Sequence, residues 1–111
     1  MERLTDLGTI RALCEKYGFS LSKGFGQNFL VNPGVCPKIC EAAGVDADTG
    51  AVEIGPGFGT LTRELAARAK RVVSLELDTR LLPVLGETLQ GLSNATVVQG
   101  DALKADFGQL V

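Results

Sequence analysis

Residues 51–59 read AVEIGPGFG, and this stretch decides which kind of fold the chain adopts. Its apolar first part, AVEI (51–54), predicts a short strand, and the glycine-rich segment GPGFG (55–59) follows without a spacer. The next residues, TLTRELAARA (60–69), show the apolar spacing of a helix. A strand that passes through a glycine turn directly into a helix is typical of the first unit of an α/β fold.

Two further strands follow, with a helix between them. The apolar run RVVSLEL (71–77) predicts the second strand, and ATVVQ (95–99) predicts the third. Between them, Asp78 or Thr79 is placed to cap a helix that continues to about Leu89. Strands that alternate with helices in this way predict an α/β fold with a parallel sheet and crossover helices.

Two helices are predicted upstream of the sheet. Residues 4–17 have helical apolar spacing, and Gly18 is a typical terminator. Asn32 followed by Pro33 predicts an N-cap and a first-turn proline for the second helix, which would end at Gly44. The sheet therefore begins only after a helical N-terminal part.

The composition is that of an ordinary globular chain. Its 111 residues suffice for one small domain, and 45% of them are hydrophobic and 22% charged. No run approaches the roughly eighteen apolar residues of a membrane span. The N-terminal MERLTDLGTI lacks the apolar core of a secretory signal, so we expect a cytoplasmic protein without a membrane partner. The net charge of −2 gives no global indication of nucleic-acid binding.

Three cysteines, Cys14, Cys36 and Cys40, raise the question of disulfides and metals. An odd number argues against a disulfide framework. Cys36 and Cys40 have the spacing of one helix face, but the chain has no His and only one other Cys to complete a tetrahedral metal site. We therefore expect buried thiols in a reducing compartment and no bound metal.

Acidic residues accompany each of the three predicted strands. Glu53 lies within the first strand, Glu76 lies at the end of the second, and Asp101 follows the third. Ligands of parallel sheets bind beyond the carboxyl ends of the strands. We therefore expect these three side chains and the glycine segment 55–59 to converge on one ligand-binding edge.

The spacing of these residues indicates what the ligand carries. The glycines form GxGxG, which departs from the GxGxxG of dinucleotide-binding proteins, and a carboxylate at Glu53 suits an ammonium group better than a pyrophosphate. Glu76 lies 21 residues after Gly55, where an acidic residue accepts hydrogen bonds from ribose hydroxyls. Asp101 is placed to accept one from an exocyclic amine such as adenine N6. Together they predict S-adenosylmethionine as the cofactor, and an NAD-dependent oxidoreductase domain is the alternative.

A loop upstream of the second helix has an unusual composition. KGFGQNFL (23–30) alternates glycines with phenylalanines, which combines backbone freedom with apolar anchors and is typical of a loop held against a binding partner. KGFGQNFL, VEIGPGFGTLT, SLELD and QGDALK, in this order and spacing, resemble the small-subunit ribosomal RNA adenine N6-dimethyltransferase family. The resemblance runs from about Lys23 to about Asp106, and FGQNFL (25–30) is its most specific part.

The resemblance implies a Rossmann-like class I methyltransferase fold, of which this chain would hold the N-terminal, incomplete part. Residues 1–50 would form the N-terminal helices and a loop that covers the cofactor. Residues 51–111 would form the first three β/α units of the S-adenosylmethionine-binding domain.

The resemblance also implies roles for individual residues in binding S-adenosylmethionine. Asn28 and Leu30 match positions that contact the methyl donor, and Gly55 matches a glycine that lies against its methionine portion. Glu76 matches the acceptor for the ribose hydroxyls, and Asp101 matches the acceptor for the adenine amine. Further candidate cofactor-binding residues are Gln27, Glu53, Gly57, Leu77 and Ala102.

The activity that the resemblance implies is dimethylation of N6 of two adjacent adenines near the 3′ end of 16S rRNA. The RNA partner would be 16S rRNA in the small ribosomal subunit or its precursor. The family's Asn-Leu-Pro-Tyr motif, which holds the target adenine, is expected beyond Val111. We therefore expect no catalytic residue in this chain and no activity from the chain alone. A 23S rRNA adenine N6-methyltransferase and a non-catalytic nucleic-acid-binding relative are the alternatives.

Overall fold

The structure, a computed structural model, describes residues 4, 6–19, 32–104 and 106. Helices and strands alternate from the second helix onward, which confirms the predicted α/β class. The helices are α1 (Leu7–Tyr17), α2 (Val35–Ala43), α3 (Thr60–Arg68) and α4 (Leu82–Thr88), and the strands are β1 (Gly50–Ile54), β2 (Arg71–Glu76) and β3 (Ala95–Gln99). A short 3₁₀ turn, Thr79–Leu81, leads into α4.

The three strands form one parallel sheet in the order β1-β2-β3, as the alternation predicts. β2 is the central strand, and five of its six residues are buried, of which Val72, Val73 and Leu75 are apolar. Because the strands run in the same direction, their last residues, Ile54, Glu76 and Gln99, lie together. We call this side of the sheet the carboxyl edge.

The main core lies between one face of the sheet and two helices. Val72 of β2 has no exposed surface and packs against Cys40 of α2 and Leu65 of α3. Ala66 and Ala69 complete this cluster, and their small side chains let the helix approach the sheet closely. The crossover helix α3 is thereby fixed relative to β1 and β2, the strands that it connects.

The ends of α1 show how local side chains set helix boundaries. The helix begins at Leu7 and not at residue 4, because Asp6 is the N-cap and its Oδ1 accepts a hydrogen bond of 3.2 Å from Gly8 N. Gly18 ends the helix in the left-handed conformation with φ of 76°, as predicted.

The predicted start of α2 is wrong by two residues. Gly34 is the N-cap, and Asn32 instead accepts a hydrogen bond from Gly34 N through Oδ1, at 2.9 Å, in a turn around Pro33. Gly44 ends α2 as predicted. Asp78 is confirmed as a cap, but of the 3₁₀ turn, where its Oδ1 accepts a 2.9 Å hydrogen bond from Arg80 N.

A second cluster attaches α1 to the glycine segment. Its buried members are Leu4, Ile10, Leu13 and Cys14, with Tyr17, Phe19 and Phe58 packed against them. The rings of Phe19 and Phe58 meet edge to face, with centroids 5.6 Å apart. Glu87 of α4 accepts hydrogen bonds from Lys16 Nζ and from Tyr17 Oη, the latter at 2.8 Å. α1 is therefore held both at the glycine segment and at α4.

The three cysteines are free and buried, as predicted. Burial raises the pKa of the Cys36 thiol to about 11, so this side chain is neutral at physiological pH. In the part of the chain that the structure describes, no three His, Cys, Asp or Glu side chains are grouped as metal ligands. No helix within those residues is long and apolar enough to cross a membrane.

Gly59 is the glycine on which the packing of the α3 start depends. It is the residue before α3, with φ of 90°, and a Cβ there would lie 3.0 Å from both Leu89 Cδ2 and Thr88 Oγ1. Gly86, in the middle of α4, would place a Cβ in open space. The two positions therefore differ in both backbone conformation and available volume.

We expect Gly59→Ala to lower the free energy of unfolding by about 2–4 kcal/mol, because left-handed strain and overpacking add. Gly86→Ala should raise it by about 0.5–1 kcal/mol, since alanine is the better helix former and meets no neighbour. Urea denaturation of the two variants beside the wild type measures both changes. Equal effects of the two substitutions would contradict the role assigned to Gly59.

Candidate functional site

The glycine segment 55–59 turns the chain from β1 into α3 at the carboxyl edge. Gly55 N donates to Leu75 O at 2.9 Å, which continues the hydrogen bonding of β1 with β2, and Gly59 N donates to Pro56 O at 2.9 Å to close the turn. Gly55 and Gly57 have φ of 70° and 59°, and a Cβ on either would meet no atom of the described residues within 4 Å. The backbone of this segment is therefore open to the close approach of a ligand.

Glu76 joins the end of β2 to this segment. Its side chain is buried, with 6% of the residue exposed. Oε1 accepts a hydrogen bond from Gly57 N at 3.3 Å, and Oε2 accepts one from Asp78 N at 3.0 Å. Each carboxylate oxygen has a second lone pair, so the fixed side chain keeps acceptor capacity for ligand hydroxyls.

Asp101 reaches the same edge from β3. Gly100 N donates to Glu76 O at 3.1 Å, which holds the end of β3 against the end of β2. Asp101 is half-buried, and its Oδ1 accepts a hydrogen bond of 2.9 Å from Leu103 N. The structure thus brings Gly55, Glu76 and Asp101 together at the carboxyl edge, as expected.

Large apolar side chains are exposed around this edge. Ile54 and Leu77 are 61% and 62% exposed, and Leu103 is 94% exposed. Ala102 is half-buried between Asp101 and Leu103. Sequence reasoning identified Leu77 and Ala102 but missed Ile54, because an apolar residue at the end of a strand normally predicts burial. It also missed Leu103, which lies in the turn after β3.

Glu53 lies beneath the glycine segment and is 9% exposed. Its Oε1 accepts hydrogen bonds from the hydroxyls of Thr62 of α3 and Ser74 of β2, the latter at 2.8 Å. Burial raises the pKa of Glu53, the two hydroxyl donors lower it, and the charge of Glu76 raises it, with a net increase. Sequence reasoning missed both donors, although Ser74 is the one polar residue between Val72 and Leu75 and was a usable signal.

Three candidate cofactor-binding residues, Gln27, Asn28 and Leu30, lie outside the described residues. The last described residue before them is Phe19, whose ring contacts Phe58 of the glycine segment. The guanidinium carbon of Arg80 lies 5.3 Å from the centre of the Phe19 ring, in a cation–π arrangement.

The carboxyl edge combines three chemical features. It presents open glycine backbone, the carboxylates of Glu53, Glu76 and Asp101, and exposed apolar side chains. Carboxylates repel a pyrophosphate and attract a cation, and they accept hydrogen bonds from hydroxyl and amino groups. The edge therefore suits a cationic ligand with hydroxyl groups and an apolar ring, and it disfavours a dinucleotide.

The sequence of the chain is similar to one protein family and to known members of it. The model of the family described as ribosomal RNA adenine dimethylase matches residues 18–111. Ribosomal RNA small subunit methyltransferase A of Geobacillus thermodenitrificans is 48% identical over 104 residues, which cover 94% of this chain and 36% of that protein. The Bacillus mycoides protein of the same name is 54% identical over 98 residues, which cover 88% of this chain and 34% of that protein. The chain thus spans about a third of the length of these relatives.

Solved structures show the same likeness. A dimethyladenosine transferase from Plasmodium falciparum is 36% identical with a TM-score of 0.63, over 68% of this chain and 28% of that chain. The 23S rRNA methyltransferase ErmE is 44% identical with a TM-score of 0.64, over 68% of this chain and 31% of that chain. An RNA methyltransferase from Salinibacter ruber, solved with S-adenosyl-L-homocysteine, shares the fold at 23% identity and a TM-score of 0.64, over 71% of this chain and 54% of that chain. The predicted Rossmann-like methyltransferase fold is confirmed.

We expect Glu53→Gln to make the fold more stable at pH 8. Folding raises the pKa of Glu53, so the folded chain binds a proton at this carboxylate more tightly than the unfolded chain does. The wild type therefore loses stability as pH rises from the ordinary pKa of glutamate to the raised value. Glutamine keeps an oxygen for Thr62 and Ser74 and has no charge to desolvate. Urea denaturation between pH 4 and pH 8 should show a stability gain over wild type that grows with pH.

The exposed Glu41 provides the matched control, because Glu41→Gln makes the same chemical change at the surface. Its stability difference from wild type should not follow this pH dependence. A Glu53→Gln variant that is no more stable than wild type at pH 8 would contradict the desolvation cost assigned to Glu53.

Proposed function

The chain belongs to the ribosomal RNA adenine dimethylase family, and from this premise we propose that its carboxyl edge binds S-adenosylmethionine for methylation of adenine N6 in ribosomal RNA. The observation that carries the proposal is the position of Glu76. Its buried carboxylate is fixed by the backbone N–H groups of Gly57 and Asp78, directly beside the open glycine segment. A carboxylate fixed at that place is suited to accept hydrogen bonds from both hydroxyls of a ribose.

The residues present fit the other parts of the donor. The open faces of Gly55 and Gly57 leave room for its methionine portion against the backbone. Asp101 would accept a hydrogen bond from the adenine amine, and Leu77 and Ala102 would contact the adenine ring. The carboxylate of Glu53 would attract the ammonium group, directly or through a water. We assign the cover of the site to Gln27, Asn28 and Leu30, as the family resemblance implies.

The bound donor supplies an electrophilic methyl group. Held by Gly55, Glu76 and Asp101, it would transfer this methyl group to adenine N6 and become a neutral thioether, and the amine would lose a proton to solvent. The residues of this chain hold and orient the donor and exclude water around it, which is the main way that an enzyme accelerates such a transfer.

The substrate that we propose is 16S rRNA, in the small ribosomal subunit or its precursor in the cytoplasm. The support is that relatives 48% and 54% identical to this chain are named small subunit methyltransferases. The second candidate is 23S rRNA, because ErmE is 44% identical. Methylation of isolated small subunits and of 23S rRNA by the complete protein would separate the two, and transfer to 23S rRNA alone would overturn the first candidate.

We expect the chain to bind S-adenosylhomocysteine, and Glu76→Ala to weaken that binding by about 10-fold to 100-fold. The reason is the loss of charge-assisted hydrogen bonding to the ribose, and a net loss of about 1.5–3 kcal/mol corresponds to this range. Calorimetric titration of the two proteins measures the change.

Glu41→Ala is the control, since it removes an exposed carboxylate from α2 and should leave the affinity unchanged. A parallel titration with NAD tests the oxidoreductase alternative. Tighter binding of NAD than of S-adenosylhomocysteine, or equal affinities for wild type and Glu76→Ala, would contradict the proposed site.

A further inference from the structure

We infer that Thr62 and Ser74 are positioning residues for the amino-acid end of the donor. They hold one oxygen of the Glu53 carboxylate, so that its other oxygen faces the ammonium group of the ligand. This inference rests on the proposed function and goes beyond it, because neither hydroxyl touches the ligand. It assigns the recognition of the ammonium group to three residues and not to one.

The hydrogen bonds to Glu53 come from two other elements, β2 and α3. Ser74 of β2 is the register partner of Glu53 of β1, so their side chains project from the same face of the sheet. Thr62 belongs to the first turn of α3, directly after the glycine segment. Both side chains have 0% exposure, and both donate to the same atom, Glu53 Oε1. The carboxylate is therefore fixed in rotation by two donors that solvent does not reach.

The second oxygen of Glu53 is the one available to a ligand. Among the described residues both hydrogen bonds to Glu53 end at Oε1, and Oε2 receives none from the protein. Glu53 lies two residues before Gly55, at the base of the open glycine segment. An ammonium group brings three N–H donors and a compensating charge to a carboxylate that is largely removed from water. Oε2 is thus placed for the cationic end of the donor.

The two hydroxyls also favour the charged form of Glu53. Desolvation raises its pKa, while the hydrogen bonds from Thr62 and Ser74 lower it. The charge of Glu76 at the end of β2 also raises the pKa of Glu53. The thiols of Cys36 and Cys40 on α2 are neutral neighbours, and the charge of Glu53 raises their pKa values. Only ionised Glu53 attracts an ammonium group, so the hydroxyls maintain the state that binds.

Two ligands distinguish the positioning role of Thr62 and Ser74 from a purely structural role. S-adenosylhomocysteine carries the amino-acid end, and 5′-methylthioadenosine has the same adenosine and a thioether without it. For the Thr62→Val/Ser74→Ala double variant we expect affinity for S-adenosylhomocysteine to fall about 10-fold or more. Affinity for 5′-methylthioadenosine should stay within about twofold of wild type, because the acceptors for ribose and adenine are untouched. Calorimetry at pH 7.5 gives both values.

The pH profile supplies a second readout. The affinity for S-adenosylhomocysteine divided by that for 5′-methylthioadenosine cancels the adenosine contacts, which both ligands make, and isolates the contribution of Glu53. This ratio should fall as pH decreases and Glu53 takes up a proton. In the double variant, without the hydrogen bonds that lower the pKa of Glu53, the fall should begin at a higher pH than in wild type.

Further variants show whether the loss of the hydroxyls themselves, and not a general loss of structure, changes the affinity ratio. Thr62→Ser retains the hydroxyl and should retain the wild-type affinity ratio, and Glu53→Gln should show the low ratio at every pH. If the double variant does not fold, Thr62→Val and Ser74→Ala are measured singly with the same two ligands. An affinity ratio equal to wild type in these variants would overturn the inference and leave the proposed function intact. Failure of the wild type to bind either ligand would overturn the proposed function itself.

Discussion

The hydrogen bond from Gly57 N to the Glu76 carboxylate is the interaction on which the site depends. It ties the glycine segment, which leaves β1, to the end of β2, and Gly100 N ties β3 to the same residue through its carbonyl oxygen. Glu76 at the end of β2 thus links the carboxyl ends of all three parallel strands through hydrogen bonds. A ligand that uses this carboxylate meets a surface already held in place, so little ordering is needed on binding.

Beneath that surface the protein keeps a second acid at a cost in stability. Glu53 is ionisable and largely removed from water, and the hydroxyls of Thr62 and Ser74 only partly offset the desolvation. A neutral amide would fill the same place with less cost. An acid retained under such conditions is a characteristic of functional sites, because a ligand cation supplies the missing compensation.

The N-terminal helix is connected to the same site through packing. Phe58 belongs to the glycine segment, but its ring joins the cluster of α1 and meets Phe19 edge to face. Glu87 of α4 holds the other side of the same helix through Lys16 and Tyr17. Phe19, the last described residue before the candidates Gln27, Asn28 and Leu30, therefore contacts the glycine segment directly.

The sequence by itself determined the order of elements, the parallel sheet and the carboxyl-edge acids, because apolar periodicity and glycine spacing act over neighbouring residues. It located the ends of α1 and α2 at Gly18 and Gly44, where only glycine adopts the left-handed turn easily. The tertiary structure alone decided that Glu53 meets hydroxyls from β2 and α3, and that Phe58 packs against the cluster of α1. These contacts join residues distant in sequence, and only the register of the strands and the placement of α3 bring them together.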